Sequence, residues 1–227
     1  MARILAIGPH PDDLEIGMGG TIGALLAQGH EVTMCDLTNG EPTPRGTPER
    51  RAEEAAQAAR ILGVGRRVTL GLPNRELADT VDSRKVVAEV IREVRPEVLF
   101  IPYWVDAHPD HVAACALAEA ARFYAKLTKT EMRGEPTYPR RVIHFLCTHY
   151  RLHVKPTFLF DVSDTFERKL EAVAAYTSQF TDDRGELWIL DALRAENRYW
   201  GSLIRRPYAE PFIAREELGL RNLDVIL

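Results

Sequence analysis

Four times before residue 128 the chain runs from a short apolar stretch into a longer segment of helical periodicity. "RILAIG" (Arg3–Gly8) precedes "LEIGMGGTIGALLAQG" (Leu14–Gly29), and "EVTMCDLT" (Glu31–Thr38) precedes "TPERRAEEAAQAARILGV". "RVTLGL" precedes "DTVDSRKVVAEVIREVRP", and "EVLFIPY" (Glu97–Tyr103) precedes "HPDHVAACALAEAARFYAKL". Apolar runs of this length bounded by Gly or Pro read as buried strands, and residues recurring every three to four positions read as helices. Strictly alternating strands and helices imply parallel strands joined by crossovers, with helices covering both faces. The expected fold class is therefore α/β: a Rossmann-like, doubly wound, mostly parallel sheet. Its central strands take the order 3-2-1-4-5. Two further strands are expected in "RRVIHFLCTHY" and "PTFLFDVS", and two further helices in "DTFERKLEAVAAYTSQF" and "LWILDALRAENRYWGSLI". No linker, repeat or low-complexity segment interrupts the pattern, so residues 1–227 are expected to form a single domain.

Composition narrows the functional classes. A net charge of −4 offers no basic surface for nucleic acid or anionic membrane. No stretch approaches the ~18 apolar residues of a membrane span, and "MARILAIG" is too short for a secretory signal, so a cytoplasmic location is expected. The three cysteines are far apart and lack a CxxC pair, which points to neither a disulfide framework nor a cysteine zinc site.

The chemistry-bearing residues fall at two strand ends. The first strand stops at "GPHPDD", and the fourth runs into "YWVDAHPDH". In an open α/β sheet ligands bind at the C-terminal edge where strand order reverses. In the expected order that edge lies between strands one and four, so the two clusters face one crevice. His10 and His111 offer imidazole nitrogens and Asp13 a carboxylate oxygen. Two nitrogens and one oxygen leave a coordination position open, as in catalytic zinc sites. A water held there is acidified toward a pKa of ~7, and the adjacent Asp12 is placed to act as general base. Zn2+, one per chain, is the expected ion, with another divalent ion such as Fe2+ as the alternative. Taken singly, each cluster also reads as ordinary helix capping, since Asp residues favour helix starts. The glycines of "GMGG" lie inside the helix pattern and no GxGxxG occupies the first turn, so a dinucleotide site is not expected. Those glycines are expected to let the helix approach the sheet closely.

At these residues the sequence resembles the LmbE-like or PIG-L family of metal-dependent N-acetylglucosaminyl deacetylases. "GPHPDDLEIGMGGTI" and "HPDHVAA" resemble its two signature motifs. "RGTPERRAEEA", "SDTFERKLEAVAAYTSQF" and "YAEPF" resemble the bacterial subgroup that deacetylates N-acetylglucosaminyl-malate in bacillithiol biosynthesis. The resemblance implies His10, Asp13 and His111 as metal ligands and Asp12 as general base. It implies His108 as the group that stabilises the tetrahedral oxyanion, with Asp110 as its orienting carboxylate. Arg51 would reach the malate carboxylate of the substrate, with the adjacent Arg50 as the alternative. A small-molecule amino sugar is the implied partner and a hexamer the implied assembly. Diacetylchitobiose is the alternative substrate, and a metal-dependent phosphoesterase the alternative activity. The family's C-terminal oxyanion tyrosine has no counterpart in "GELWILDA", where Trp188 is the candidate occupant. Asp106 either joins the site or shapes its loop. His149 and His153 stand four apart on a strand end and loop, which does not predict a second metal pair. His30 and His144 read as surface or packed positions.

Overall fold

Four strand–helix units form where the sequence pattern places them. In the computed structural model, which describes residues 1–182 and 184–219, β1 (Arg3–Gly8) leads into α1 (Asp13–Ala27) and β2 (Glu31–Asp36) into α2 (Pro48–Leu62). β3 (Arg66–Thr69) leads into α3 (Val81–Val94), and β4 (Val98–Pro102) into α4 (Pro109–Ala125). Beyond them come β5 (Arg141–Phe145), β6 (Phe158–Asp161), α5 (Phe166–Ala174), α6 (Thr177–Phe180), α7 (Ile189–Leu203) and β7 (Ala209–Ile213). Local chemistry explains the boundaries. Thr47 accepts from Arg50 N at the head of α2, Pro48 sits just inside, and Gly63 ends the helix at φ 83°. Thr80 caps α3 in the same way through Ser83 N.

The strands form one seven-stranded sheet in the order β3-β2-β1-β4-β5-β7-β6. β1 to β5 are parallel; β7 runs antiparallel to both β5 and β6. β1 and β4 are neighbours, with Ile4 opposite Val98 and Ala6 opposite Phe100, so the loops after both strands open at the same sheet edge. Alternation along β1 shows why it reads as a continuous apolar run. Ile4 and Ala6 join a core with Leu14, Met18 and Ile22 of α1, whereas Leu5 and Ile7 join a second core with Ile91 of α3 and Ala118 of α4.

α1 is interrupted at Met18, whose φ of −151° is not helical. The next segment needs acceptors for its first N–H groups, and Glu210 of β7 supplies them: its carboxylate accepts from Gly20 N at 3.0 Å and Thr21 N at 2.7 Å. The glycines of this helix permit close packing, as expected. A Cβ on Gly17 would collide with Phe145 of β5, and one on Gly20 would lie 2.7 Å from Val162.

Two expectations are corrected. The helix expected over residues 164–180 breaks into α5 and α6, because Tyr176 turns inward and its hydroxyl donates to Glu15 at 2.8 Å. Ser178 then donates to Glu54 through both its N–H and its hydroxyl. The second correction is β7, which "YAEPF" does not signal. Pro and a buried Glu both argue against a strand. Pro211 is accommodated because β5 pairs only with Phe212 and Ile213, leaving the proline beyond that ladder.

Candidate metal centre and active site

His10 and Asp13 flank the turn between β1 and α1, and His111 lies in the first turn of α4. The fold brings the three together. His10 Nδ1 lies 3.2 Å from Asp13 Oδ2, and His111 Nε2 lies 3.4 Å from Asp13 Oδ1. One donor atom from each of the three lies within 4.8 Å of the others. All three residues are buried. The outer ring nitrogens are held as well. His10 Nε2 lies 3.1 Å from Asp110 Oδ2. His111 Nδ1 lies 3.0 Å from the carbonyl of Cys147 and 2.8 Å from Asp106 Oδ2. Each imidazole thus turns one nitrogen to Asp13 and the other to an outer acceptor, the arrangement that prepares histidines as metal ligands.

The electrostatics favour a cation between these groups. Burial pushes the His10 imidazolium down, but Asp13, and then Asp110, more than reverse this and raise its pKa to about 9. Burial likewise opposes charge on His111, yet Asp13 and Asp106 raise its pKa. Asp13 is buried too, but the His111 and His10 rings hold its carboxyl well below the usual range. The carboxylates around the two rings therefore favour positive charge here, carried by the rings or by an ion that replaces their protons. A divalent ion fits this donor set of two nitrogens and one oxygen.

Asp12 differs from its neighbour. It precedes α1 with φ 118° and makes no capping bond, an uncommon conformation for a non-glycine residue. Burial raises its pKa to about 7, opposed by Arg51 and reinforced by Asp13. Arg51 of α2 holds the turn: its Nη2 donates to Asp12 Oδ2 at 2.8 Å and to Pro11 O at 2.7 Å. Gly40, at φ 74°, leaves room for that guanidinium, since a Cβ there would lie 3.1 Å from Arg51 Nε. Arg51 Nε and Nη1 are buried without a protein partner. Arg50 instead points along the surface to Glu54 and Thr177.

His108 caps α4, its Nδ1 accepting from Asp110 N at 3.2 Å. A neutral ring with Nδ1 accepting carries its proton on Nε2, so that edge is a hydrogen-bond donor. Burial and the charge of His10 and His111 lower its pKa, which keeps the ring neutral. The Asp110 side chain does not orient the His108 ring through a hydrogen bond. It turns inward, accepts from Arg75 N and Leu77 N, and meets His10.

Three residues of the site carried no clear sequence signal. Asp106 joins it, as one of two alternatives had it. Cys147 donates its thiol hydrogen to Asp13 Oδ1 at 3.3 Å, and His149 packs its ring 5.1 Å from that of His111. The run of residues 146–150 had been expected as the end of a strand; as a loop after β5 it can reach the cluster. Other histidines stand apart. His144 is buried between Ile213 O and Glu119, His30 accepts from Ala2 N, and His153 is exposed. Trp188 is exposed at the head of α7, in ring contact with Phe180. Among the described residues it has no ring contact with the histidine cluster. None of the helices described is long and apolar enough to cross a membrane.

The chain is 36% identical over 222 residues to a diacetylchitobiose deacetylase of Thermococcus kodakarensis, covering 92% of this chain and 81% of the relative. It is 29% identical to a probable N-acetyl-alpha-D-glucosaminyl L-malate deacetylase 2 of Bacillus anthracis, covering 82% and 84%. The crystal structure of a conserved protein from Thermus thermophilus superposes with a TM-score of 0.88 at 40% identity, covering 97% of both chains. Residues 5–122 match the family model for PIG-L, GlcNAc-PI de-N-acetylase, a span that includes every strand end and helix start from which the histidine and aspartate cluster is built. With its fold, its two strand-end motifs and its relatives in agreement, the chain belongs to the PIG-L family of N-deacetylases.

Proposed function

We propose that the protein removes the acetyl group from an N-acetylglucosamine conjugate by metal-assisted amide hydrolysis, with zinc held by His10, Asp13 and His111. The observation that carries this reading is the convergence of two imidazoles on the two oxygens of one buried carboxylate. A divalent ion bound there supplies an acidified water and a Lewis acid for the amide oxygen. The remaining steps belong to side chains. Asp12, with a pKa near 7 and one oxygen anchored by Arg51, takes the proton of the attacking water. It returns that proton to the amide nitrogen as the carbon–nitrogen bond breaks, releasing acetate and the free amine. His108, a neutral Nε2 donor, stabilises the charge that develops on the former carbonyl oxygen. Asp110 orients the site by fixing the outer nitrogen of His10.

Two substrates divide the reading. The likeness of "YAEPF" and its companion stretches to the malate-conjugate subgroup favours N-acetylglucosaminyl-malate. The 36% identity to the Thermococcus protein favours diacetylchitobiose. Arg51, buried and committed to Asp12, does not present the open guanidinium that a malate carboxylate needs. A two-metal phosphoesterase is disfavoured, because the neighbouring donor groups reuse His10 or His111. The same reading includes a cytoplasmic homo-oligomer of hexameric size; exposed Val112 and Phe123 on α4 supply apolar surface for assembly.

The test is acetate release from each substrate by protein stripped of metal and reloaded with zinc. The expected outcome is no turnover when stripped, and turnover of at least one of the two substrates when reloaded. Reloaded protein that releases acetate from neither would refute the proposal.

A further inference from the structure

Arg75 holds a backbone conformation that glycine adopts more readily than any other residue. It lies in the loop between β3 and α3, at φ 66°. That loop is fastened to the metal centre. Arg75 N donates to Asp110 Oδ2 at 2.7 Å and Leu77 N to Asp110 Oδ1 at 3.3 Å, while Oδ2 also lies 3.1 Å from His10 Nε2. Those N–H groups need no particular side chain, so the turn accounts for a glycine at residue 75 but not for an arginine. Strain kept at such a place points to a use for the side chain. The Arg75 side chain is exposed and crosses to the loop after β2, where its Nη2 donates to Pro42 O at 2.7 Å. That second loop passes over the turn before α1: a Cβ on Gly40 would lie 3.1 Å from Pro11 Cδ. The guanidinium therefore bridges two loops at the rim of the crevice. No carboxylate among the described residues pairs with it.

We infer that Arg75 is a specificity residue that receives a carboxylate on the group attached to the sugar, so that the substrate is an anionic N-acetylglucosamine conjugate rather than a neutral disaccharide. The inference rests on the deacetylase reading above. Other arginines at this edge are committed to acids of the chain: Arg51 to Asp12, Arg67 to Asp36 and Glu15, Arg50 to Glu54. The floor of the crevice is rich in carboxylates, Asp12, Asp106 and Asp110 among them, so a substrate carboxylate is drawn to a cation at the rim. The bond to Pro42 O fixes the place of the guanidinium. Its remaining N–H groups stay open to solvent and can take a carboxylate through paired hydrogen bonds. A contact made away from the scissile amide holds substrate and transition state alike, so it acts on KM rather than kcat.

The experiment compares zinc-reloaded full-length wild type, Arg75→Gln and Arg75→Gly. The probes are N-acetylglucosaminyl-malate, its neutral dimethyl ester and diacetylchitobiose, with acetate release measured. Melting temperatures report the fold. Gln keeps an N–H for Pro42 O without the charge; Gly removes the side chain and the backbone strain together. Wild type should prefer the acid over the ester in kcat/KM by at least about tenfold, the worth of one charge-assisted contact. Both variants should lose that preference, chiefly through a higher KM for the acid. A wild type that shows no such preference, or that acts on diacetylchitobiose alone, would overturn the inference and leave the deacetylase reading standing. So would either variant keeping the preference. A wild type that releases acetate from none of the three would instead overturn the deacetylase reading itself.

Discussion

Two clusters of buried charge sit along one helix, and they are built on opposite plans. At the start of α1 are Asp12, Asp13 and their partners; at its interruption are Glu210, Lys169 and Asn197. In the second cluster demand and supply match. Glu210 accepts from Gly20 N, Thr21 N and Lys169 Nζ, and Lys169 Nζ also donates to Asn197 Oδ1. In the first, acids crowd together and the pKa values of adjacent aspartates are driven apart, Asp12 up and Asp13 down. Arg51 Nε and Nη1 lack partners, and Asp12 sits at φ 118°. A buried polar group without a partner costs ~1–3 kcal/mol, and backbone strain of this kind a similar amount. The two clusters thus serve different ends: saturated charge closes a fold, whereas strained backbone and unpaired buried donors are the marks of a functional site.

Breaking the metal cluster gives the largest effect. Asp13→Ala removes the acid shared by both imidazoles. Zinc content should fall to background and turnover by at least about 10³-fold, as expected when several kcal/mol of transition-state stabilisation are lost. Elemental analysis alongside an acetate assay reads both. Asp12→Asn separates chemistry from binding: zinc should stay, and turnover should fall by about 10²–10⁴-fold. The same variant has a stability signature in metal-free protein. Because the folded state raises the Asp12 pKa from 3.8 to about 7, folded protein binds the proton more tightly than unfolded chain. Wild-type stability therefore declines as pH rises through that window, by roughly 1–4 kcal/mol. Asn escapes this decline, so its melting temperature should gain on wild type between pH 4 and pH 7.

The saturated cluster should respond in reverse. Glu210→Ala strands Lys169 and two helix N–H groups, and should cost about 3–5 kcal/mol of stability. For a chain of this size that is roughly 6–20 °C in melting temperature. Turnover per zinc-loaded folded molecule should change far less than in Asp12→Asn. If Glu210→Ala abolishes turnover while the fold persists, the contrast between the clusters fails. The smallest effect is expected of Arg51→Lys. An ammonium can replace one of the bonds to Asp12 Oδ2 and Pro11 O but not the planar fork, so turnover should fall about tenfold with zinc content unchanged.

The first half of the chain was legible because β1, β2 and β4 are buried on both faces and α2, α3 and α4 carry their own caps. The meeting of "HPDD" and "HPDH" was legible too, because strand order follows from alternation and the order places the C-terminal ends of β1 and β4 together. What escaped depends on distant partners. β7 is a strand because β5 and β6 flank it and Lys169 satisfies Glu210; "YAEPF" alone holds neither fact. The break before α6 follows from Glu15 and Glu54 on other helices drawing Tyr176 and Ser178 inward. The reach of Asp106 to His111 and to the loop of Cys147 and His149 exists only once β4, α4 and β5 are assembled. Arg51 shows the limit from the other side: its presence near the site was foreseen, but its burial against Asp12 was not.

The most direct measurement is diffraction from zinc-loaded crystals at the zinc absorption edge. The account predicts one anomalous peak per chain, about 2.0–2.2 Å from a nitrogen of His10, an oxygen of Asp13 and a nitrogen of His111. A peak bound elsewhere, or no peak between these three side chains at full loading, would contradict it.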